Sequence, residues 1–309
     1  MSYSSCYTFI MHFVNAKSIL TPHSMNIYRG CSHGCIYCDS RSKCYQFTHD
    51  FEDIEVKQNA PELLEAALRK KRKRCMIGTG AMCDPYIPAE KELCLMRRCL
   101  EIIEKHNFGA ALQTKSDLVL RDLDILERIN RKTKAVVQMT LTTADDSLCR
   151  IIEPCVCPTS RRFEVLCECR NRGIPTVVWF SPLLPFINDT AENIDGIVDY
   201  CARAGVKAII CFGIGLTLRE GNREYFYAAL DRAAKIDSRF AAAAGAPSLK
   251  ERYIRTFGSS YIVSSPREHE LMQHLAQQCR KHGIMLGTDS VFKWMEEFPE
   301  TDPSQPELF

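Results

Sequence analysis

The sequence predicts an α/β fold: an open, partial (β/α)6 barrel followed by a helical C-terminal extension. Three observations predict it. Short β-rich runs alternate six times with amphipathic segments, the pattern of a parallel sheet joined by right-handed crossovers. Every run ends in residues that a plain core does not require. Beyond about Leu218 the pattern turns helical. Six units fit a doubly wound sheet as readily as a barrel. The unusual residues favour the barrel, because a βα barrel carries its active site at the C-terminal ends of its strands.

The strands are expected over residues 25–28, 75–78, 110–113, 135–141, 176–180 and 208–212. Between them, Leu93, Met96, Leu100 and Ile103 fall on one helical face, as do Ile194, Ile197, Val198 and Cys201. Asp189 followed by Glu192 is the expected capping pair of the latter helix. Further helices are expected over residues 222–235, 248–256 and 267–282. Residues 1–217 are read as the barrel with its lead-in, 218–300 as the extension, and the polar, proline-punctuated 301–309 as a flexible tail.

Composition narrows the function classes. A formal net charge of +2 gives no global field for nucleic acid or an anionic membrane, so any such surface is local. No stretch approaches the roughly 20 apolar residues that cross a bilayer. The apolar piece from Tyr7 to Val14 is short, contains His12 and lacks a basic leader, so a cytoplasmic protein is expected. Seventeen cysteines in a chain with a large apolar core suit a reducing compartment rather than a disulfide scaffold. Cys75, Cys94, Cys99, Cys201, Cys211 and Cys279 read as small buried hydrophobes. Cys155-x-Cys157 and Cys167-x-Cys169 are spaced poorly for tetrahedral chelation of one metal, and the latter pair reads as helical.

The chemistry begins at Cys31-Ser-His-Gly-Cys35-Ile-Tyr37-Cys38. Three cysteines spaced x3 and x2 offer three of the four ligands that an iron–sulfur cluster takes, leaving one iron open. A zinc knuckle with His33 or Cys44 as fourth ligand is the alternative, but zinc sites usually pair Cys-x2-Cys with a second, distant pair. The spacing favours the cluster.

At these residues the chain resembles the radical S-adenosylmethionine superfamily. Further segments are similar to its spore photoproduct lyase-like branch, commonly labelled DNA repair photolyase. They are Asn26-Ile-Tyr-Arg-Gly-Cys-Ser-His-Gly-Cys-Ile-Tyr-Cys-Asp-Ser-Arg41, Asp84-Pro-Tyr86, Gln113-Thr-Lys-Ser116 with Arg121-Asp122, and Pro185-Phe-Ile-Asn-Asp189. The resemblance implies that Cys31, Cys35 and Cys38 bind three irons of a 4Fe–4S cluster. Its fourth iron would chelate S-adenosylmethionine. Reduction by a one-electron donor such as flavodoxin or ferredoxin would then release a 5′-deoxyadenosyl radical that abstracts a hydrogen atom from the substrate.

The other strand ends suit the holding of that cofactor. Gly78 and Gly80 let carbonyls approach an ammonium group closely, though a bare βα turn also explains them. Lys115 would pair with the cofactor carboxylate. Thr140 and Thr142 alternate along a strand and so face one side, available to the methionine or ribose part. Tyr37 would pack near the adenine, with Ser181 as a further contact. Cys83 and Tyr86 are the candidate catalytic residues. The branch uses a cysteine in this neighbourhood to return a hydrogen atom to the repaired thymine. Aligned on Asp84, that place is Ala81 here, and Cys83 stands two residues later.

Two features point towards nucleic acid. The run Arg69-Lys-Lys-Arg-Lys-Arg74 reads as a solvated helix end or as a phosphate-binding patch. The terminal Gln305-Pro-Glu-Leu308-Phe309 resembles the bacterial sliding-clamp-binding pentapeptide, with Pro306 in place of the usual Leu. The leading expectation is a radical S-adenosylmethionine enzyme acting on nucleic acid, damaged DNA included. A peptide or small-metabolite substrate is the alternative, although Cys279 stands alone where peptide-modifying members often carry an auxiliary-cluster set. A non-catalytic iron–sulfur or zinc protein that binds nucleic acid is the third.

Overall fold

The computed structural model describes residues 10–243 and 245–298. Gln305, Leu308 and Phe309 lie outside the described residues. The chain enters through β1 (Met11–Val14), β2 (Leu20–Thr21), β3 (Ser24–Met25) and β4 (Tyr28–Arg29), the last leading into the cysteine loop. Then follow β5 (Ile54–Lys57), α1 (Ala60–Lys70), β6 (Met76–Thr79), α2 (Glu90–Leu93), α3 (Leu95–Lys105), β7 (Gly109–Thr114) and α4 (Leu123–Lys132). β8 (Ala135–Thr140), α5 (Asp146–Ile152), α6 (Thr159–Asn171), β9 (Thr176–Trp179), α7 (Ala191–Ala204) and β10 (Ala208–Ile210) complete the βα series. The C-terminal part adds β11 (Gly215–Thr217), α8 (Asn222–Ala233), α9 (Leu249–Phe257), β12 (Ile262–Ser264), α10 (Glu268–His282), β13 (Met285–Leu286) and α11 (Thr288–Glu296).

The main sheet runs β13-β10-β9-β8-β7-β6-β3-β2, parallel throughout except for the antiparallel β2–β3 pair. β13 and β2 are not paired to each other, so the sheet is an open, partial barrel. Its central strand β8 is buried at every residue, as parallel strands packed on both faces must be. Helices α3, α4 and α7 cover the outside with apolar stripes such as Leu95, Met96, Cys99, Leu100 and Ile103.

All six expected runs contain strand, and the differences have physical causes. The run 25–28 is one apolar stretch, but it serves two sheets. Met25 pairs with Thr79 in the main sheet, whereas Tyr28 pairs with Val56 in a three-stranded sheet ordered β1-β5-β4. The expected helical extension also supplies strands: β12 pairs antiparallel with β11, and β13 extends the main sheet beside β10. Thr190 caps α7, its side chain accepting from the Asn193 amide, because Asp189 is engaged by the Ser265 hydroxyl. Cys99, Cys201, Cys211 and Cys279 are buried as expected, while Cys75 and Cys94 are only half-buried. Among the described residues, no helix is long and apolar enough to cross a membrane.

Candidate active site

The parallel strands all point their C-terminal ends at one edge, and the cysteine loop folds against it. Gly30 starts the loop at φ +88°, where a β-carbon would stand 2.6 Å from the Phe51 carbonyl oxygen. Only glycine lets the chain leave β4 this closely. The Cys31 amide then donates to that same oxygen at 3.1 Å. Two further backbone bonds pin the loop to the end of α5 and the segment after it: Ile36 N to Ile152 O at 3.0 Å, and Cys155 N to His33 O at 3.1 Å. Cys31 and Cys35 are buried and Cys38 is half-buried.

The three thiols differ electrostatically. A hydrogen bond from Cys83 holds the Cys31 thiol well below its ordinary range, helped by His33 against the opposing effect of burial. Burial pushes the Cys35 and Cys38 thiols up, and Lys115 partly offsets this in both. The Lys115 ammonium is desolvated, yet Cys35, Glu153 and Asp84 keep its pKa above the ordinary lysine value. Its Nζ stands 6.0 Å from the centroid of the Tyr37 ring. Asp84 sets the lysine's position from the backbone side, accepting from the Lys115 amide and the Thr114 hydroxyl at 2.7 Å each.

Beneath the loop lies a fully buried ion pair. Arg162 Nη1 is 2.7 Å from Glu153 Oε2, with neither side chain exposed. Tyr37 donates its hydroxyl to Glu153, and Thr142 donates to the same oxygen at 3.3 Å. Arg162 also donates to the carbonyls of Thr140 and Cys157, at 3.0 and 2.9 Å. A buried charge tolerates such a place only when paired and hydrogen-bonded.

Beside the loop opens a cavity of about 410 Å³, walled by Tyr37 and Cys38, Ala81, Ser181, Phe212 and Ile262 among others. At its mouth Phe212 is 61% exposed and Ile262 is 60% exposed. In the same region three buried hydroxyls, of Ser32, Thr79 and Thr140, have no hydrogen-bond partner. Unpaired polar atoms inside a protein are costly, and here they mark where a polar ligand fits.

The structure gathers most of the expected residues but not all. Tyr37 and Ser181 line the cavity, and Lys115 faces Tyr37. Gly78 lies within β6, and Gly80 follows it at φ +101°, where a β-carbon would stand 1.9 Å from Gln113 O. Gly80 is therefore required by the approach of β7. β8 ends at Thr140, so Thr142 stands in the following loop and bonds Glu153 rather than alternating along a strand. Cys83 packs against Cys31, with its sulfur 2.6 Å from the Gly30 carbonyl oxygen. Tyr86 is buried in an acidic and basic network, its hydroxyl 3.2 Å from Asp122 Oδ2. Neither Cys83 nor Tyr86 lines the cavity. Glu153, Arg162 and Phe212 were not singled out by sequence reasoning. Arg162 had a signal, because it falls on the buried α6 stripe Thr159, Arg162, Leu166, Cys169, where a cation is out of place.

Residues 25–195, more than half of the chain, match the Radical SAM superfamily. The chain belongs to that superfamily. It is a radical SAM enzyme, and its cofactors are a 4Fe–4S cluster and S-adenosylmethionine. Relatives of this radical SAM protein include an uncharacterised protein of Mycobacterium tuberculosis, 28% identical over 239 residues that cover 74% of this chain and 68% of the relative. Another, from Acidianus two-tailed virus, is 27% identical over 234 residues, covering 72% and 76%. Among solved structures, spore photoproduct lyase complexed with dinucleoside spore photoproduct shares the fold, with a TM-score of 0.64 at 12% identity, covering 89% of this chain and 81% of that one. A variant of that lyase with bound S-adenosylmethionine and dinucleoside spore photoproduct aligns with a TM-score of 0.61 at 13% identity, covering 85% and 75%. The residues at this edge of the sheet fit the radical SAM cofactors. The loop supplies three thiols, one of them, Cys38, lining the cavity. The Lys115 ammonium and the unpartnered hydroxyls of Ser32, Thr79 and Thr140 stand on the loop and at the ends of the neighbouring strands.

Proposed function

We propose that this radical SAM enzyme acts on nucleic acid, with Cys31, Cys35 and Cys38 as ligands to three irons and the adjacent cavity as the site where cofactor and reacting nucleotide meet. Bound there, the cluster and S-adenosylmethionine supply hydrogen-atom abstraction started by one-electron reduction. The chain's own residues bind and orient. Lys115 offers a desolvated cation to the cofactor carboxylate, the hydroxyls of Ser32, Thr79 and Thr140 offer hydrogen bonds, and Tyr37 forms a wall for the adenine.

The observation that carries the substrate class is the exposed Phe212 at the cavity mouth, beside Ile262 and 5.4 Å from the Trp179 ring centroid. An aromatic face left in solvent at a pocket rim suits stacking of an unpaired base, which contributes about 1–3 kcal/mol. The dinucleoside lesion held by the structurally similar lyase supports the same class. The basic run does not. Lys71 to Arg74 line a separate cavity of about 450 Å³ with His23 and Met76, at the N-terminal edge of the sheet. Ala81, in place of a thiol at the cavity, makes a thymine-dimer reaction that ends on a protein cysteine a poor fit. The same reading takes its electron from a flavodoxin or ferredoxin in a reducing cytoplasm, with the sliding clamp as a partner for Gln305, Leu308 and Phe309.

The test is anaerobic turnover of the reconstituted protein with S-adenosylmethionine, a reductant and, in separate reactions, irradiated single-stranded DNA, irradiated duplex DNA or RNA. Formation of 5′-deoxyadenosine is expected to rise with DNA and a DNA product to appear. Phe212→Ala is expected to raise the DNA concentration required by about 5- to 150-fold, the equivalent of one lost stack. Turnover indifferent to DNA and RNA, or to Phe212→Ala, would exclude this substrate class and this platform respectively.

A further inference from the structure

The small sheet on the other side of Gly30 carries a second set of ligating side chains that the radical chemistry does not use. His12 of β1 stands opposite Glu55 of β5 in the parallel ladder. His49, from the loop that precedes β5, reaches the same carboxylate, with Nε2 2.8 Å from Glu55 Oε1. One ligand atom from each of the three lies within 4.8 Å of the other two. The two imidazole rings meet edge to face with their centroids 5.0 Å apart.

Each histidine is held from behind through Nδ1. His12 Nδ1 is 2.9 Å from Asp53 Oδ1, and His49 Nδ1 is 2.9 Å from the Asp50 carbonyl oxygen. Metal-binding histidines are oriented in this way: a carboxylate or carbonyl takes the proton of one ring nitrogen and leaves the other nitrogen's lone pair for the ion. His49 meets an acceptor oxygen at both nitrogens. A neutral imidazole carries a single N–H, so the contact with Glu55 demands either a second proton or a cation shared between Nε2 and the carboxylate.

We propose that His12, His49 and Glu55 bind one divalent transition-metal ion, with zinc as the best match and water completing its coordination. Two imidazoles and one carboxylate are a borderline-soft set suited to zinc, and three protein ligands leave a place for water. Access is open, because the His12 side chain is 41% exposed. Arg29 opposes the ion. Its Nη1 stands 3.1 Å from Glu55 Oε1, so its charge lowers affinity, and it keeps the carbonyls of Tyr45 and Gln46 as acceptors when the ion takes the carboxylate. The ion would staple the loop before β5 to both β1 and β5. That loop carries the Phe51 carbonyl that fixes the Cys31 amide, so occupancy steadies the wall behind the first cluster cysteine.

The test uses the full chain with its iron–sulfur cluster already reconstituted, so that Cys31, Cys35 and Cys38 are occupied. Zinc alone is titrated against a chromophoric chelator. One zinc per chain is expected, held by nitrogen and oxygen neighbours in X-ray absorption at the zinc edge. Asp53→Asn is expected to weaken binding by about 10- to 100-fold, His49→Ala by more, and Arg29→Gln to tighten it. The tightening distinguishes a lost ligand from a damaged fold. The apoprotein of Cys31→Ala/Cys35→Ala/Cys38→Ala is expected to retain the same zinc equivalent. Sulfur neighbours, failure to compete with the chelator, or zinc binding unchanged by His49→Ala would each overturn the proposal.

Discussion

Glu153 and Arg162 hold their charges without any solvent, and this pair underlies the Tyr37 wall. Burial pushes the Glu153 carboxyl up, but the Arg162 charge, with Lys115 and the Tyr37 hydroxyl, outweighs it and holds the carboxyl below its ordinary range. Glu153→Gln is therefore expected to destabilise the apoprotein by about 3–5 kcal/mol at pH 7, because it strands a buried guanidinium. The sign with pH follows from the direction of the shift. A carboxyl depressed in the folded state gives its full stabilisation above the unfolded value, about pH 4.3, and loses it as pH falls through the folded value. In urea unfolding at pH 7 and pH 3, the gap between wild type and variant is expected to narrow on acidification. A gap independent of pH would contradict this account. At this scale the sequence showed the cysteine triplet plainly, since its spacing favours a cluster over zinc. It hid Glu153, which becomes notable only when tertiary packing removes its water.

Among the elements, β6 and β7 explain which glycine is needed. Gly80 combines φ +101° with a β-carbon position 1.9 Å from the Gln113 carbonyl oxygen, whereas Gly78 has no contact closer than 3.7 Å. Gly80→Ala is expected to lower stability by at least about 2 kcal/mol through strain and collision. Gly78→Ala is expected to cost far less. Thermal unfolding of the two variants compares them directly, and equal losses would refute the assignment. The six core runs were legible because buried parallel strands read as continuous apolar stretches. The small sheet was not. β5 is only Ile54–Lys57, and β4 shares its apolar run with β3. The grouping of His12 with His49 and Glu55 depends on that register, and no local spacing reveals it. The cap of α7 moved from Asp189 to Thr190 for a similar reason, since Ser265 lies 76 residues beyond Asp189 in sequence.

Across the whole molecule, the parallel sheet sorts function by edge. Its C-terminal edge gathers the cysteine loop, the unpartnered hydroxyls and the aromatic cavity mouth, while the basic run sits at the N-terminal edge. Net charge of +2 concealed this polarity, because it sums over both edges. The barrel and its active edge were legible from where the unusual residues fell along the chain. The substrate-facing rim was less so, because Phe212, in the loop between β10 and β11, and Ile262 of β12 are far apart in sequence and come to one rim through the pairing of β12 with β11. The most direct measurement of the central claim is 5′-deoxyadenosine formation by the anaerobically reconstituted chain with S-adenosylmethionine and a low-potential reductant. The wild type is expected to form it, and Cys35→Ala to form none. A chain that takes up only zinc, or a Cys35→Ala variant that cleaves as well as the wild type, would contradict the account.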